Sequence, residues 1–288
     1  VERPPVKPSP FVYHRPETRD EVDDLLAEFR DEAKILAGGQ SLIPVLNMRL
    51  AAPQHLIDIN HLRDEPAEPK LADGHLTFGP LVRHLAAERS MTVRDHVPLL
   101  FETMPFVAHP AIRTRGTVVG SIAHADPAAE LPAVLSVLGG SVAIRGAKAA
   151  RIVGAEDFFV GPLENCLAAG EWVEDVRWPA RQERVGFAFE EFARRRGDYA
   201  LCGVAATARR SGGRLEVALS YLGMGDVPQR LGAECDEGDI DEVVDQLVSD
   251  HLDPTGDLHA RPAYRGHLAR RLGVRAILRA RDSIDKAA

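Results

Sequence analysis

Apolar residues recur along this chain with two different periods, and the change from one to the other divides it. Between residues 18 and 29, Val22, Leu25, Leu26 and Phe29 share one face at helical spacing, and Thr18 with Glu21 has the form of a capping box. The segment therefore predicts an amphipathic helix. Residues 34–37 read as a buried strand that breaks at Gly38 and Gly39 and runs into an apolar helical segment at 41–50. Short strands are predicted at 55–59 and 75–78, with helical stretches around 81–88 and 98–106. A second glycine-containing loop, residues 116–121, leads past Asp126 and Pro127 into an apolar helix at 128–138, and strands follow at 141–145 and 172–178.

From Gly186 the texture changes. Phe187, Phe189 and Phe192, then residues 202–209, then 214–222 predict three antiparallel strands, the last two joined through Ser211, Gly212 and Gly213. The acidic stretch 234–239 reads as a loop, and helices are predicted at 240–248 and 263–281. A domain boundary falls at 179–183, giving an α+β protein with one domain over 1–180 and a second over 184–284.

The formal charge of −8 offers no general attraction for nucleic acid or an anionic membrane. Arg194, Arg195 and Arg196, and Arg265, Arg270, Arg271 and Arg275, then read as solvated faces or subunit contacts. The three cysteines, Cys166, Cys202 and Cys235, lack the short spacing of thiolate clusters, so no iron–sulfur cluster is expected on this chain. The proline-rich start VERPPVKPSPFVYHRPE has no signal-peptide core, and no run of about 18 apolar residues could span a bilayer. A cytoplasmic location is expected.

The two glycine loops carry the candidate chemistry. Glycine lets backbone approach an anion, and unpaired N–H groups at a helix start point at it. In Ala37-Gly38-Gly39-Gln40-Ser41, the Gln40 and Ser41 side chains add donors. Close packing of a strand-to-helix turn is the other reading of each loop. Neither fits G-x-G-x-x-G or G-x-x-x-x-G-K-[ST], which removes support for the common nucleotide folds. His109, His124 and Asp126 show no metal-ligand spacing, and an Asp before Pro127 reads as a helix cap. Ser41 has no His and Asp partners in the pattern of a nucleophilic hydrolase.

Four ordered motifs give a more specific reading. AGGQSLIPVLNMRL (37–50), RTRGTVVGSIAHADPAAELPAVL (113–135), DFFVGP (157–162) and FEEFARRRGDYALCGVA (189–205) together resemble the FAD-binding medium subunit of molybdenum hydroxylases, the xanthine dehydrogenase and carbon monoxide dehydrogenase family. The resemblance implies a two-part FAD-binding domain of the vanillyl-alcohol-oxidase (PCMH) type, subdivided near 53–60, then a C-terminal domain with a three-stranded antiparallel sheet and a helical bundle. It implies that Leu36, Ala37, Gly38, Gly39, Gln40, Ser41, Leu42 and Ile43 grip the pyrophosphate together with Thr117, Gly120 and Ser121. Asp126 lies in the same cofactor-binding stretch, and Glu130 falls where the family hydrogen-bonds flavin-side or ribose hydroxyls. Val107 and Ala108 line the adenine end or flavin edge, Val173 supplies a backbone contact, and Glu190 reaches the cofactor. Tyr199 either sits near the isoalloxazine face or is a core tyrosine.

The family has two consecutive glycines where this chain has Val119-Gly120. A positive φ at that position would be costly for valine, whereas an extended backbone would tolerate it. The implied function is electron transfer: FAD here, with the molybdenum cofactor on a large partner, iron–sulfur clusters on a small one, an external electron acceptor, and a dimer of heterotrimers as the assembly. Two other readings stay open, a self-sufficient flavin oxidase and an FAD-less scaffold between partner subunits.

Overall fold

The computed structural model describes residues 8–147 and 149–284. Strands β1 (Val12–His14), β2 (Ala33–Leu36) and β3 (His55–Asp58) form a parallel sheet in the order β1-β3-β2. Parallel neighbours need crossover connections, supplied by α1 (Arg19–Phe29) and α2 (Leu42–Asn47). Val22 and Leu26 of α1 close a small core with Ala33, Ile57, Ile59 and Trp172. At its start the Thr18 hydroxyl accepts from the Glu21 amide at 3.2 Å. The Glu21 carboxylate accepts from the Glu17 amide at 2.6 Å, one residue earlier than a regular capping box requires. The chain leaves this sheet after Asp58 through a single 3-10 turn at Ile59–His61.

A second unit is built on β4 (Lys70–Ala72), β5 (His75–Phe78), β6 (Ser141–Gly146) and β7 (Ala149–Gly154). After the hairpin β8 (Phe159–Gly161) and β9 (Glu164–Asn165), β10 (Glu171–Pro179) completes an antiparallel sheet in the order β4-β5-β10-β6-β7. Between β5 and β6 run α3 (His84–Arg89), α4 (Met91–His96), α5 (Pro98–Thr103), α6 (Pro110–Arg113), α7 (Val118–His124) and α8 (Glu130–Val137), while α9 (Ala155–Phe158) links β7 to β8. Every residue of α8 is buried. A helix apolar all round belongs inside, and α8 lies between this unit and the C-terminal sheet.

That sheet has four strands, not three: β11 (Val185–Ala193), β12 (Ala200–Ser211), β13 (Arg214–Leu222) and β14 (Arg230–Cys235), antiparallel and in chain order. The expected bundle is a layer of two helices, α10 (Ile240–His251) and α11 (Pro262–Ser283), among the described residues. Cys202, Val204, Ala206 and Ala208 face these helices, while Ala205 joins the core of the second unit. Burial on both faces explains why β12 reads as one apolar run instead of an alternation. The domains are joined by Glu102 of α5, which accepts from the Phe189 amide at 3.2 Å and from Arg279 at 2.7 Å, and by the Gly223 amide, which donates to Pro127 O at 2.8 Å. No helix among the described residues is long and apolar enough to cross a membrane.

Candidate functional site

The parallel sheet and the five-stranded unit each offer one glycine loop, and the loops meet backbone to backbone. A Cβ at Gly38 would fall 2.5 Å from Arg115 O and 2.8 Å from Gly116 Cα, inside van der Waals distance. Only glycine permits that approach. Gly39 takes φ +73°, a region L side chains rarely enter, as the chain turns from β2 into α2. The first helical bonds are from the Ile43 amide to Gly39 O (3.0 Å) and from the Val45 amide to Ser41 O (3.2 Å). The amides of residues 39–42 lie ahead of them as helix-start donors. Gln40 Nε2 turns back onto Gly38 O at 3.0 Å, and Ser41, at the N-cap position, makes no side-chain capping bond.

A clamp that no motif marked holds the two loops together. Asn60 Nδ2 donates to Ala37 O at 2.7 Å, Arg83 donates to Asn60 Oδ1 at 2.6 Å, and the same guanidinium donates to Arg115 O at 2.5 Å. Burial and the neighbouring Arg115 charge lower the Arg83 pKa. Beside it, residues 82–84 pair with 116–118: the His84 amide donates to Gly116 O (2.9 Å) and the Val118 amide to Val82 O (3.0 Å). The His84 ring fills the space under Gly116, where a Cβ would lie 2.8 Å from its Nδ1. Among the described residues neither buried ring nitrogen has a well-formed hydrogen bond, and burial, which outweighs the opposing Thr117 backbone, pushes the imidazole down to about 4 and keeps it neutral.

Residues 116–121 are only in part a loop, because α7 begins at Val118. Thr117 is its N-cap: its hydroxyl accepts from the Gly120 amide at 3.0 Å, and a Cβ at Gly120 would sit 2.6 Å from that oxygen. The Ser121 amide donates to Thr117 O at 3.1 Å. Val119 lies within the helix, without positive φ, its side chain buried. The valine is therefore neither strained nor extended, and this removes the ground for a loop disabled by it. The hairpin carrying the third motif pins the end of α7 through Asn165 Nδ2 to Ala123 O (2.7 Å) and the Leu163 amide to Ala125 O (3.0 Å).

Val107 and Ala108 form a turn in which Ala108 adopts φ 48°. Arg113 holds it by donating to both carbonyls, at 3.0 and 2.9 Å, while its own fork is locked on Glu88 at 2.8 and 3.1 Å. Gly197, at φ +86°, rests against this turn, a Cβ there meeting His109 Nδ1 at 2.4 Å. The C-terminal loop that carries Tyr199 is thus seated on the cofactor domain. Tyr199 is 73% exposed and is not a core residue. Partial desolvation and the Asp126 and Glu130 carboxylates raise its phenol pKa.

Asp126 Oδ1 accepts from the Ala128 amide at 2.8 Å and so shapes the turn into α8. Glu130 opens that helix almost fully buried, and burial pushes its carboxyl up to about 7. Glu190 lies on the face of β11 turned to α11, where Arg279 donates to it at 2.7 Å and Arg275 also pairs with it. Its neighbour Glu191, which the sequence did not single out, has its carboxyl pushed up to about 8 by burial and then by the Glu130 charge. Val173 is buried in β10 opposite Ile144, beside a bulge and behind α7. No group of three or more His, Cys, Asp or Glu among the described residues could hold a metal ion.

Two glycine loops from separate units, clamped together beside helix-start amides, fit the cradle of a two-part FAD-binding flavoprotein. Residues 9–181 match the FAD binding domain in molybdopterin dehydrogenase, and residues 187–280 match the CO dehydrogenase flavoprotein C-terminal domain. The chain is 36% identical over 288 residues to the caffeine dehydrogenase subunit beta of a Pseudomonas species (strain CBB1), covering 97% of each. It is 36% identical over 277 residues to the nicotine 6-hydroxylase medium subunit of Paenarthrobacter nicotinovorans, covering 93% of this chain and 96% of that one. Reconstituted CO dehydrogenase from Oligotropha carboxidovorans superposes with a TM-score of 0.90 at 30% identity, over 96% of this chain and 99% of its counterpart. The chain belongs to the FAD-binding medium subunits of the molybdenum hydroxylase family, and its cofactor is FAD.

Proposed function

We propose that this subunit receives electrons from an iron–sulfur small subunit and passes them to an external acceptor, while a molybdenum-containing large subunit converts the substrate. The carrying observation is the correspondence with medium subunits over nearly the whole chain. When bound, FAD supplies the capacity to take electrons singly and release them as a pair.

The chain's own residues bind and orient. Backbone amides of residues 39–42 and of Val119 receive the pyrophosphate, with Gln40, Ser41, Thr117, Gly120 and Ser121 shaping the cradle. Val119 serves as well as glycine because only its amide is needed and its side chain points into the core. Asp126, Glu130, Val107, Ala108 and the Val173 backbone bound the rest of the cleft. Tyr199, exposed at its mouth, covers the flavin face and controls what approaches.

A dimer of heterotrimers is the proposed assembly. The test is rapid mixing of the assembled complex with its reducing substrate: the flavin absorbance band is expected to bleach only when the iron–sulfur subunit is present. Steady turnover of a small substrate by the isolated chain would overturn the relay. Light scattering on the co-expressed complex checks the assembly, a lone stable monomer counting against it.

A further inference from the structure

The protein has a formal charge of −8, yet one face of the C-terminal domain collects cations that no carboxylate answers. β11 ends at Ala193 and runs into Arg194, Arg195 and Arg196, all three exposed. Arg194 bonds His259 Nδ1 at 3.2 Å, which brings the segment before α11, with exposed Leu258 and Arg261, alongside the arginines. Arg195, Arg196 and Arg261 form no ion pair with any described residue, whereas Arg265, Arg270, Arg275 and Arg279 of α11 are each paired. Asp257 is taken by Arg265 at 2.6 Å and by the His259 and Ala260 amides at 2.7 and 2.8 Å. Among residues 194–199, Asp198 alone opposes the three arginines. Phe192 and Tyr264 meet edge to face at 6.4 Å, and both are exposed, as is Tyr199. The loop is held in shape: the Asp198 amide donates to Arg195 O at 3.1 Å, and Gly197 rests on Ala108 and His109. Arginine among exposed aromatic side chains is the composition of a protein interface. Obligate interfaces are large and apolar, whereas brief electron-transfer encounters are small and steered by charge.

We propose that Arg194, Arg195 and Arg196, with Arg261, Phe192 and Tyr264, form the docking surface for the external electron acceptor, and that this acceptor is a protein presenting carboxylates. This rests on the relay proposed above, in which Tyr199, three residues beyond Arg196, stands at the mouth of the cleft. Guanidinium groups pair carboxylates through two parallel hydrogen bonds. Exposed charges are screened beyond about 8 Å at physiological ionic strength, so an approaching acidic face responds to this cluster and not to the overall −8. The carboxylates acting on Tyr199 belong to the FAD-binding domain: Glu130 is buried, and Asp126 is bonded to the Ala128 amide. One fully reduced FAD gives its two electrons to two one-electron acceptors that dock in turn, and its protons pass to solvent.

The experiment takes the full chain loaded with FAD, photoreduces it without oxygen, and mixes it by stopped flow with two oxidised haem proteins, acidic cytochrome b5 and basic cytochrome c. The rate with cytochrome b5 is expected to fall about tenfold or more as ionic strength rises from about 0.01 M to about 1 M. Combining Arg194→Gln, Arg195→Gln and Arg196→Gln is expected to slow that reaction about tenfold at low salt and to level its salt dependence, with flavin spectrum, FAD affinity and thermal unfolding unchanged. Cytochrome c should react no more slowly with the variant than with wild type. A cytochrome b5 rate that rises with salt in the wild type, as the net charge alone would give, overturns the proposal, and so does one that is the same in both proteins. Reduced flavin that passes electrons to neither haem protein overturns the relay and the proposal with it, and a chain that holds no FAD overturns the cofactor assignment on which both stand.

Discussion

The two loops at the cofactor cleft both contain glycine, but for different physical reasons. Gly38 and Gly39 are required by space and by φ: one backbone lies against another, and the turn enters the left-handed region. In the second loop Gly116 makes room for the His84 ring and Gly120 for the Thr117 hydroxyl, while Val119 between them is an ordinary buried helical residue. The proposed cradle, in which the Val119 amide and not a missing side chain meets the pyrophosphate, accounts for valine at this position of a glycine-rich motif.

Substitutions separate these cases. Gly38→Ala is expected to have the largest effect: its methyl must force apart the 38–39 and 115–116 backbones, destabilising the fold by about 1–3 kcal/mol. FAD affinity should fall by about a hundredfold or more, equivalent to roughly 2.7 kcal/mol. Flavin titration with urea unfolding measures both, and unchanged binding would show that the loops are not interlocked. Arg83→Leu comes next. It strips donors from Arg115 O and Asn60 Oδ1 at a cost of about 1–3 kcal/mol, with FAD affinity reduced about tenfold. Gly120→Ala displaces the Thr117 cap and should lower stability by about 1 kcal/mol in thermal unfolding. Val119→Ala should be smallest at the site: it removes core methyls at about 1–2 kcal/mol of stability, yet leaves FAD affinity unchanged. A marked loss of FAD affinity in Val119→Ala would mean that its side chain, not its amide, shapes the cradle.

What the sequence could show follows the range of the interactions. Helix α1, with its local Thr18 cap and one apolar face, was readable, as was β13, whose bounds at 214 and 222 coincide with the alternating run. β14 was missed because RLGAEC carries its period-2 signal only in Leu231, Ala233 and Cys235, beside an acidic turn. α7 was missed because VVGSIAH combines β-branched residues with glycine, a poor helix former that burial overrides. The Asn60–Arg83 clamp joins residues 23 apart to carbonyls in both loops, and no local pattern encodes it. Glu190 and Glu191 differ by one step along β11, and in a strand one step reverses the face.

The central claim is that this chain by itself builds an FAD site, and the most direct measurement is the visible spectrum of the purified protein before and after incubation with FAD, followed by identification of the released cofactor. The account predicts flavin bands from FAD at close to one equivalent per chain. A protein that stays colourless after incubation, while folded by circular dichroism, would contradict it.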